Sequence, residues 1–166
     1  MRKIKIIRSK NALAQTRKYY LAYGMNTNLS SMSSRCPSAE LLGKVTVPGH
    51  RLCFKNHCDV VVDKNSSLEC VLWSITQECE HSLDMLEGYP DYYTMKNLTV
   101  DFQGKRIQAM IYHMRDRAQE SLPSQNYLDL VVQGYAENNL DSEQIKQAIL
   151  SAHHQEKHQF RDRLYK

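Results

Sequence analysis

The sequence predicts an α+β fold: a small, mixed and mostly antiparallel β-barrel with flanking helices. Three observations carry this reading. The β-forming runs between residues 19 and 114 follow one another over short links, too short for the helical crossovers that a parallel sheet needs. The helical patterns fall at the edges of these runs and at the end of the chain. A length of 166 residues suits one domain with a sizeable core.

The elements follow in order. Residues 19–24, YYLAYG, read as a short strand ending at a glycine. Asn26, Asn28 and Ser30 are helix N-cap types, and a short helix follows to about Arg35, stopped by Pro37. An extended stretch from Ala39 to Phe54 is expected to break at Pro48-Gly49. Asp59–Asp63 is a strand, a turn is expected at Lys64-Asn65-Ser66, and Glu69–Ile75 is another strand rich in β-formers. Thr76 caps a helix over Gln77–Glu87, with Gly88 as its stop and Pro90 beyond. Tyr92–Phe102 and Arg106–Met114 pair through Gln103-Gly104. Pro123-Ser124 opens a helix to about Asn138, and Asp141 opens a last one that passes His158. The chain thus divides into an N-terminal arm (1–18), a domain (19–150) and a C-terminal helical tail (151–166).

Composition excludes several classes. Hydrophobic residues at 42% and charged residues at 24% are ordinary for a globular protein and rule out collagen-like, mucin-like and wholly disordered chains. No run approaches the roughly 20 apolar residues of a membrane span, so no membrane partner is expected. The start, MRKIKIIRSK, lacks the apolar stretch of a secretory signal. The five cysteines form no CxxC pair, and a disulfide framework is not expected. A cytoplasmic location is the expectation.

The net charge of +4 divides into +7 on residues 1–18, which hold no acid, and −3 on the rest. Two readings of this basic arm are open. One is a contact with nucleic acid or another anionic surface. The other is a solvated terminal segment, or a first strand with charged edges. No aromatic residue interleaves with the charges to stack on bases, which favours the second.

The most informative residue is Glu87. On the helix 77–87, Cys79, Leu83 and Leu86 fall on one face, and Glu87 lies four beyond Leu83 on that same face. A carboxylate on a core stripe, in the last turn of a helix, is disfavoured in its charged form by burial and by the helix dipole. Both raise its pKa, which is how a glutamate becomes a general base and acid near neutral pH. The alternative is a glutamate that reaches out to solvent at a frayed helix end. The turn Tyr23-Gly24-Met25-Asn26 runs from strand into helix and leaves N–H groups able to hold an anion, or serves as a structural turn only. His50, Cys53, His57 and Cys58 match no standard zinc spacing, and His153, His154 and His158 read as a solvated helix face, so no metal is expected.

These pieces together resemble the γ-glutamylcyclotransferase-like family. YLAYGMNTNLSSMSSRCP looks like its strand, YGSN turn and short helix; GKVTVPGHRLCF and ECVLWSIT fit its middle; LDMLEGYPDYY resembles the segment bearing its catalytic glutamate; and LPSQNYLDLVVQGYAENNL looks like its Pro…Tyr helix. The resemblance spans roughly residues 19–150.

It implies a reaction in which the α-amine of a γ-glutamyl group attacks its own γ-carbonyl, giving 5-oxoproline and a free amine or amino acid. It puts the acid/base on Glu87 and the substrate carboxylate against Tyr23, Gly24, Met25 and Asn26, with Tyr93 and Tyr127 near the pocket. No metal or organic cofactor is implied, and the partner is a small-molecule γ-glutamyl substrate. Met25 departs from the family's usual Ser, and Asn26 departs from the YGSL-type turn of the glutathione-specific branch. A binding module on the same fold, holding a small ligand without turnover, is the alternative. Glu87 favours the enzyme, because a binder of anions gains nothing from an inward carboxylate.

Overall fold

In a computed structural model that describes residues 16–115 and 118–164, five strands form one sheet and four helices surround it. Strand β1 (Lys18–Ala22) leads through a single tight helical turn (Met25–Thr27) into α1 (Leu29–Arg35). Strands β2 (Glu40–Lys55) and β3 (His57–Ile75) form a long hairpin. Helix α2 (Gln77–Glu87) follows, then the hairpin of β4 (Tyr93–Phe102) and β5 (Lys105–Met114). Helices α3 (Gln125–Glu137) and α4 (Glu143–Leu164) end the chain.

The strand order is β2-β3-β1-β5-β4. β1 joins the two hairpins, antiparallel to β3 and parallel to β5, where Tyr20 faces Met110. The two hairpin pairings are antiparallel, and Ser121 adds an isolated parallel bridge to Lys55 at the end of β2. The sheet curls until its edge strands β2 and β4 meet, with Phe102 against Gly43, yet they share no ladder, so the barrel stays open along that seam.

Two expected breaks are absent. Pro48-Gly49 and Lys64-Asn65-Ser66 do not end strands. They lie opposite each other in the β2–β3 ladder, between the pairs Pro48–Ser67 and His50–Val62, and together make one irregularity in a continuous hairpin. The Asp63 carboxylate ties the extra residues down by accepting from Asn65 N at 3.1 Å and Ser66 Oγ at 2.7 Å. Breakers facing each other cost the ladder one bulge instead of two turns.

The helix ends follow the sequence signals. Asn28, Thr76 and Ser124 cap α1, α2 and α3 by accepting from Ser31 N, Cys79 N and Tyr127 N. Gly88 closes α2 in the left-handed conformation. The core lies between the curled sheet and the helices and includes Leu21, Phe54, Leu68, Leu72, Ile75, Leu83, Ile111, Val131 and Tyr135, all fully buried or nearly so. Burying each such side chain is worth about 1.5–3 kcal/mol. α4 runs unbroken past residue 150 and buries Ile145, Ala148 and Ala152. Its Gln155 and Glu156 accept from the backbone N–H groups of Glu120 and Leu122. Among the described residues, no helix is long and apolar enough to cross a membrane. The first fifteen residues of the basic arm lie outside the described residues. Its last two cations are exposed and tie to the body of the domain: Arg17 bonds to Ser74 and Ser38 and pairs with Glu40, and Lys18 pairs with Glu80.

Candidate functional site

The turn after β1 is pinned from every side. The Tyr23 hydroxyl donates to Tyr112 O at 2.7 Å, and Tyr135 on α3 donates its hydroxyl to Tyr23 O at 2.8 Å. Gly24 crosses so close to β3 that a Cβ there would lie 2.8 Å from Cys58 Cβ. Thr27 closes the turn through its N–H and its hydroxyl, both donating to Gly24 O. The Trp73 indole donates to Asn26 O at 3.2 Å. Among the described residues no acceptor meets the N–H of Met25 or Asn26, the leading donors of this helical turn.

Asn26 is 5% exposed and sits at the centre of a polar cluster. Its Oδ1 accepts from Arg35 Nη1 at 2.6 Å, while its Nδ2 donates to Tyr20 Oη at 3.0 Å and to Glu87 Oε1 at 3.1 Å. Arg35 also reaches the Met25 thioether at 3.6 Å. Glu87 is half-buried at the end of α2, against this turn. Burial pushes its carboxyl up from the ordinary 4.5 to about 7; the Arg35 charge and the Asn26 bond pull the other way and do not offset it. The carboxyl therefore exchanges a proton near neutral pH, the property a general acid and base needs. Leu86, read on the inward face beside Glu87, is 44% exposed. The last turn of α2 overhangs a cavity instead of the core, so Leu86 lines the cavity rim.

That cavity has a volume of about 220 Å³ and gathers residues from β1, the turn, β3, α2, β4, β5 and α3. Tyr23, Gly24, Met25, Asn26, Glu87, Tyr93 and Tyr127 all line it. Tyr93 Oη donates to Cys58 O at 2.6 Å, and Tyr127 Oη accepts from Cys58 N at 3.0 Å. Both phenols are thus fixed on the same β3 residue, and burial holds both pKa values above the usual range. Sequence reasoning missed Tyr20, His57, Tyr92 and Tyr112, which also line the cavity, and Arg35 behind it. Tyr20 carried no spacing signal: it lies three residues before Tyr23, and along a strand such residues point to opposite faces. Arg35 carried none, because its role exists only once α1 folds back beside Asn26.

Other clusters do not converge. Among the described residues, no group of three or more His, Cys, Asp or Glu could hold a metal ion. His50 Nδ1 contacts Pro48 O, and His57 Nδ1 meets Tyr92 Oη at 3.1 Å. All five cysteines are free and buried. His154 and His158 face each other at 3.0 Å on the exposed side of α4.

Residues 20–129 match the family model described as gamma-glutamyl cyclotransferase, AIG2-like. Similar folds occur among solved structures. A gamma-glutamyl cyclotransferase is 22% identical with a TM-score of 0.71, covering 80% of this chain and 86% of that one. An uncharacterised protein from Homo sapiens is 23% identical with a TM-score of 0.70 and the same coverage. YkqA from Bacillus subtilis is 18% identical with a TM-score of 0.68, over 80% of this chain and 53% of that one. No curated protein sequence matches the chain.

Proposed function

Because the chain belongs to the gamma-glutamyl cyclotransferase, AIG2-like family, we propose that it cyclises γ-glutamyl compounds, releasing 5-oxoproline and a free amine or amino acid, with Glu87 carrying the proton. The observation that carries the reading is a carboxyl poised at about 7 in the wall of a cavity lined by six tyrosines together with Gly24, Met25, Asn26, His57 and Leu86.

The chemistry asks little of the protein beyond holding and proton transfer. The nucleophile is the substrate's own α-amine, so no serine or cysteine is needed. Ring closure is intramolecular, and holding the chain folded supplies much of the acceleration. The neutral amine attacks the γ-carbonyl carbon and gives a proton to the Glu87 carboxylate. The tetrahedral intermediate collapses, the bond to the leaving nitrogen breaks, and that nitrogen takes the proton back from Glu87. Glu87 ends as it began. Among the described residues no acceptor occupies the Met25 and Asn26 N–H groups, which can receive the substrate carboxylate. The reaction as written uses no cofactor, and the tyrosine rings give the small cavity a largely apolar wall.

The test is incubation of the purified protein with a panel of γ-glutamyl amines and γ-glutamyl amino acids, with mass detection of 5-oxoproline. Release by the native protein and its loss in Glu87→Gln support the reading. Compounds bound and returned unchanged would make the protein a binding module on this fold.

A further inference from the structure

The hydroxyl proton of Tyr20 has no acceptor among the described residues, and the network around it indicates its use. Arg35 donates to Asn26 Oδ1, so the Asn26 amide can point only one way. Its two N–H bonds then go to Tyr20 Oη at 3.0 Å and Glu87 Oε1 at 3.1 Å. Tyr20 Oη is thereby an acceptor from protein, and its own O–H is left over. The ring is 3% exposed, lines the cavity, and is held edge-on against Tyr112 with centroids 5.9 Å apart. Sharing one amide nitrogen keeps Tyr20 Oη and Glu87 Oε1 within about 6 Å of each other. An orphaned donor and a proton-carrying carboxyl thus face the same small space.

We infer that Tyr20 is a catalytic hydroxyl that donates a hydrogen bond to the substrate's γ-carbonyl oxygen as that oxygen gains charge. The assignment rests on the cyclotransferase reading. As the amine nitrogen bonds to the γ-carbon, the carbonyl π pair moves onto oxygen, and the Tyr20 O–H, keeping its proton, holds that oxygen. On collapse the pair returns, the bond to the leaving nitrogen breaks, and the proton of the attacking amine leaves through Glu87. Burial keeps the phenol protonated at neutral pH, with Glu87 and Cys36 adding to the effect and Asn26 and Arg35 opposing it. A hydroxyl that stayed ionised would repel the oxyanion.

Tyr20→Phe retains the ring and its contact with Tyr112. Removing one donor to a developing oxyanion costs about 10²–10³-fold in kcat. KM is expected to stay within about threefold, because the bond strengthens only in the transition state. The acid limb of the pH profile should stay where Glu87 sets it. A merely structural role would instead raise KM and move that limb, as the Asn26 amide swung away from Glu87. Replacing Tyr20 by 3-fluorotyrosine, which keeps the shape and sharpens the donor, should change kcat in step with the acidity of the phenol. This second measurement decides the matter if Tyr20→Phe does not fold; a kcat indifferent to fluorination would overturn the assignment. If the native protein releases 5-oxoproline and Tyr20→Phe keeps its kcat, Tyr20 alone loses its role. If the native protein releases none from any compound of the panel, the cyclotransferase reading falls and the assignment with it.

Discussion

Two carboxylates act on the cavity tyrosines Tyr23 and Tyr93, and their surroundings differ. Asp59, 2% exposed on β3, is surrounded by donors: Lys55 Nζ at 2.8 Å, its neighbour Val60 N at 2.8 Å and Met114 N at 2.8 Å. Among the described residues Glu87 receives one, from Asn26. Arg35, whose charge acts on it, is directed at Asn26 and Met25 instead. Asp59 is the more deeply buried of the two and takes three donors, whereas half-buried Glu87 takes one among the described residues. A buried carboxylate given three donors fastens β3 to the end of β5. One given a single donor keeps its proton within reach of water-like pH and is available for chemistry.

The contrast can be broken at either end. Glu87→Gln should fold normally and lose about 10²–10⁴-fold in turnover, because the amide cannot take and return a proton. Release of 5-oxoproline, read beside the thermal midpoint, checks it. Near-native release would remove Glu87 from the mechanism. Asp59→Ala should do the reverse. Leaving Lys55 and two buried N–H groups without this partner costs about 3–5 kcal/mol, and for a chain of this size each kcal/mol moves the midpoint by about 2–4 °C. A midpoint unchanged in Asp59→Ala would mean that the pair is not structural.

Smaller effects sharpen the comparison. Arg35→Met removes the charge that lowers the Glu87 carboxyl, so the acid limb of kcat/KM, expected near pH 7, should move upward. A limb that stays put would mean that Arg35 acts only on the fold. Glu87 also makes stability depend on pH. Its pKa is about 7 folded and 4.5 as a free group, so the folded state binds the proton more tightly. Stability therefore rises as pH falls from above 7 to 4.5, and levels off below. The midpoint of Glu87→Gln should accordingly exceed that of the native protein most at pH 8 and converge with it near pH 5. The expected gap is about 1–3 kcal/mol, allowing for the solvent-facing edge of the group. A gap that widens on acidification would reverse the sign of the argument. Least of all, deleting residues 1–15 should leave release unchanged within about twofold, provided that Arg17 and Lys18, which pair with Glu40 and Glu80, are kept.

Glu87 was legible because helix periodicity is local: Cys79 and Leu83 are buried, and the same line runs on to it. The caps at Asn28, Thr76 and Ser124 and the stop at Gly88 were legible for the same reason. The continuous β2–β3 hairpin was hidden, since whether Pro48-Gly49 and Lys64-Asn65-Ser66 make two turns or one bulge depends on their being paired. The polar cluster around Asn26 was hidden more deeply. It brings together β1, the turn, α1 and the end of α2, and no spacing along the chain encodes that meeting.

Helix α3 bears on when this site comes into being. Gly134 lies so close to the turn that an added Cβ would collide with Thr27 Oγ1 and come within 2.6 Å of Asn28 N. Around it, Tyr135 donates to Tyr23 O, Asn138 donates to Thr27 O, and Glu137 accepts from Leu29 N, each across more than a hundred residues of chain. On a nascent chain these three contacts can form only once residues 135–138 have left the ribosome, after every strand of the sheet has been made. A fragment ending at Ser124 is expected to show amide protection in β1, β3 and β5 with none at Thr27 and Asn28, and hydrogen exchange on that fragment would read the order directly.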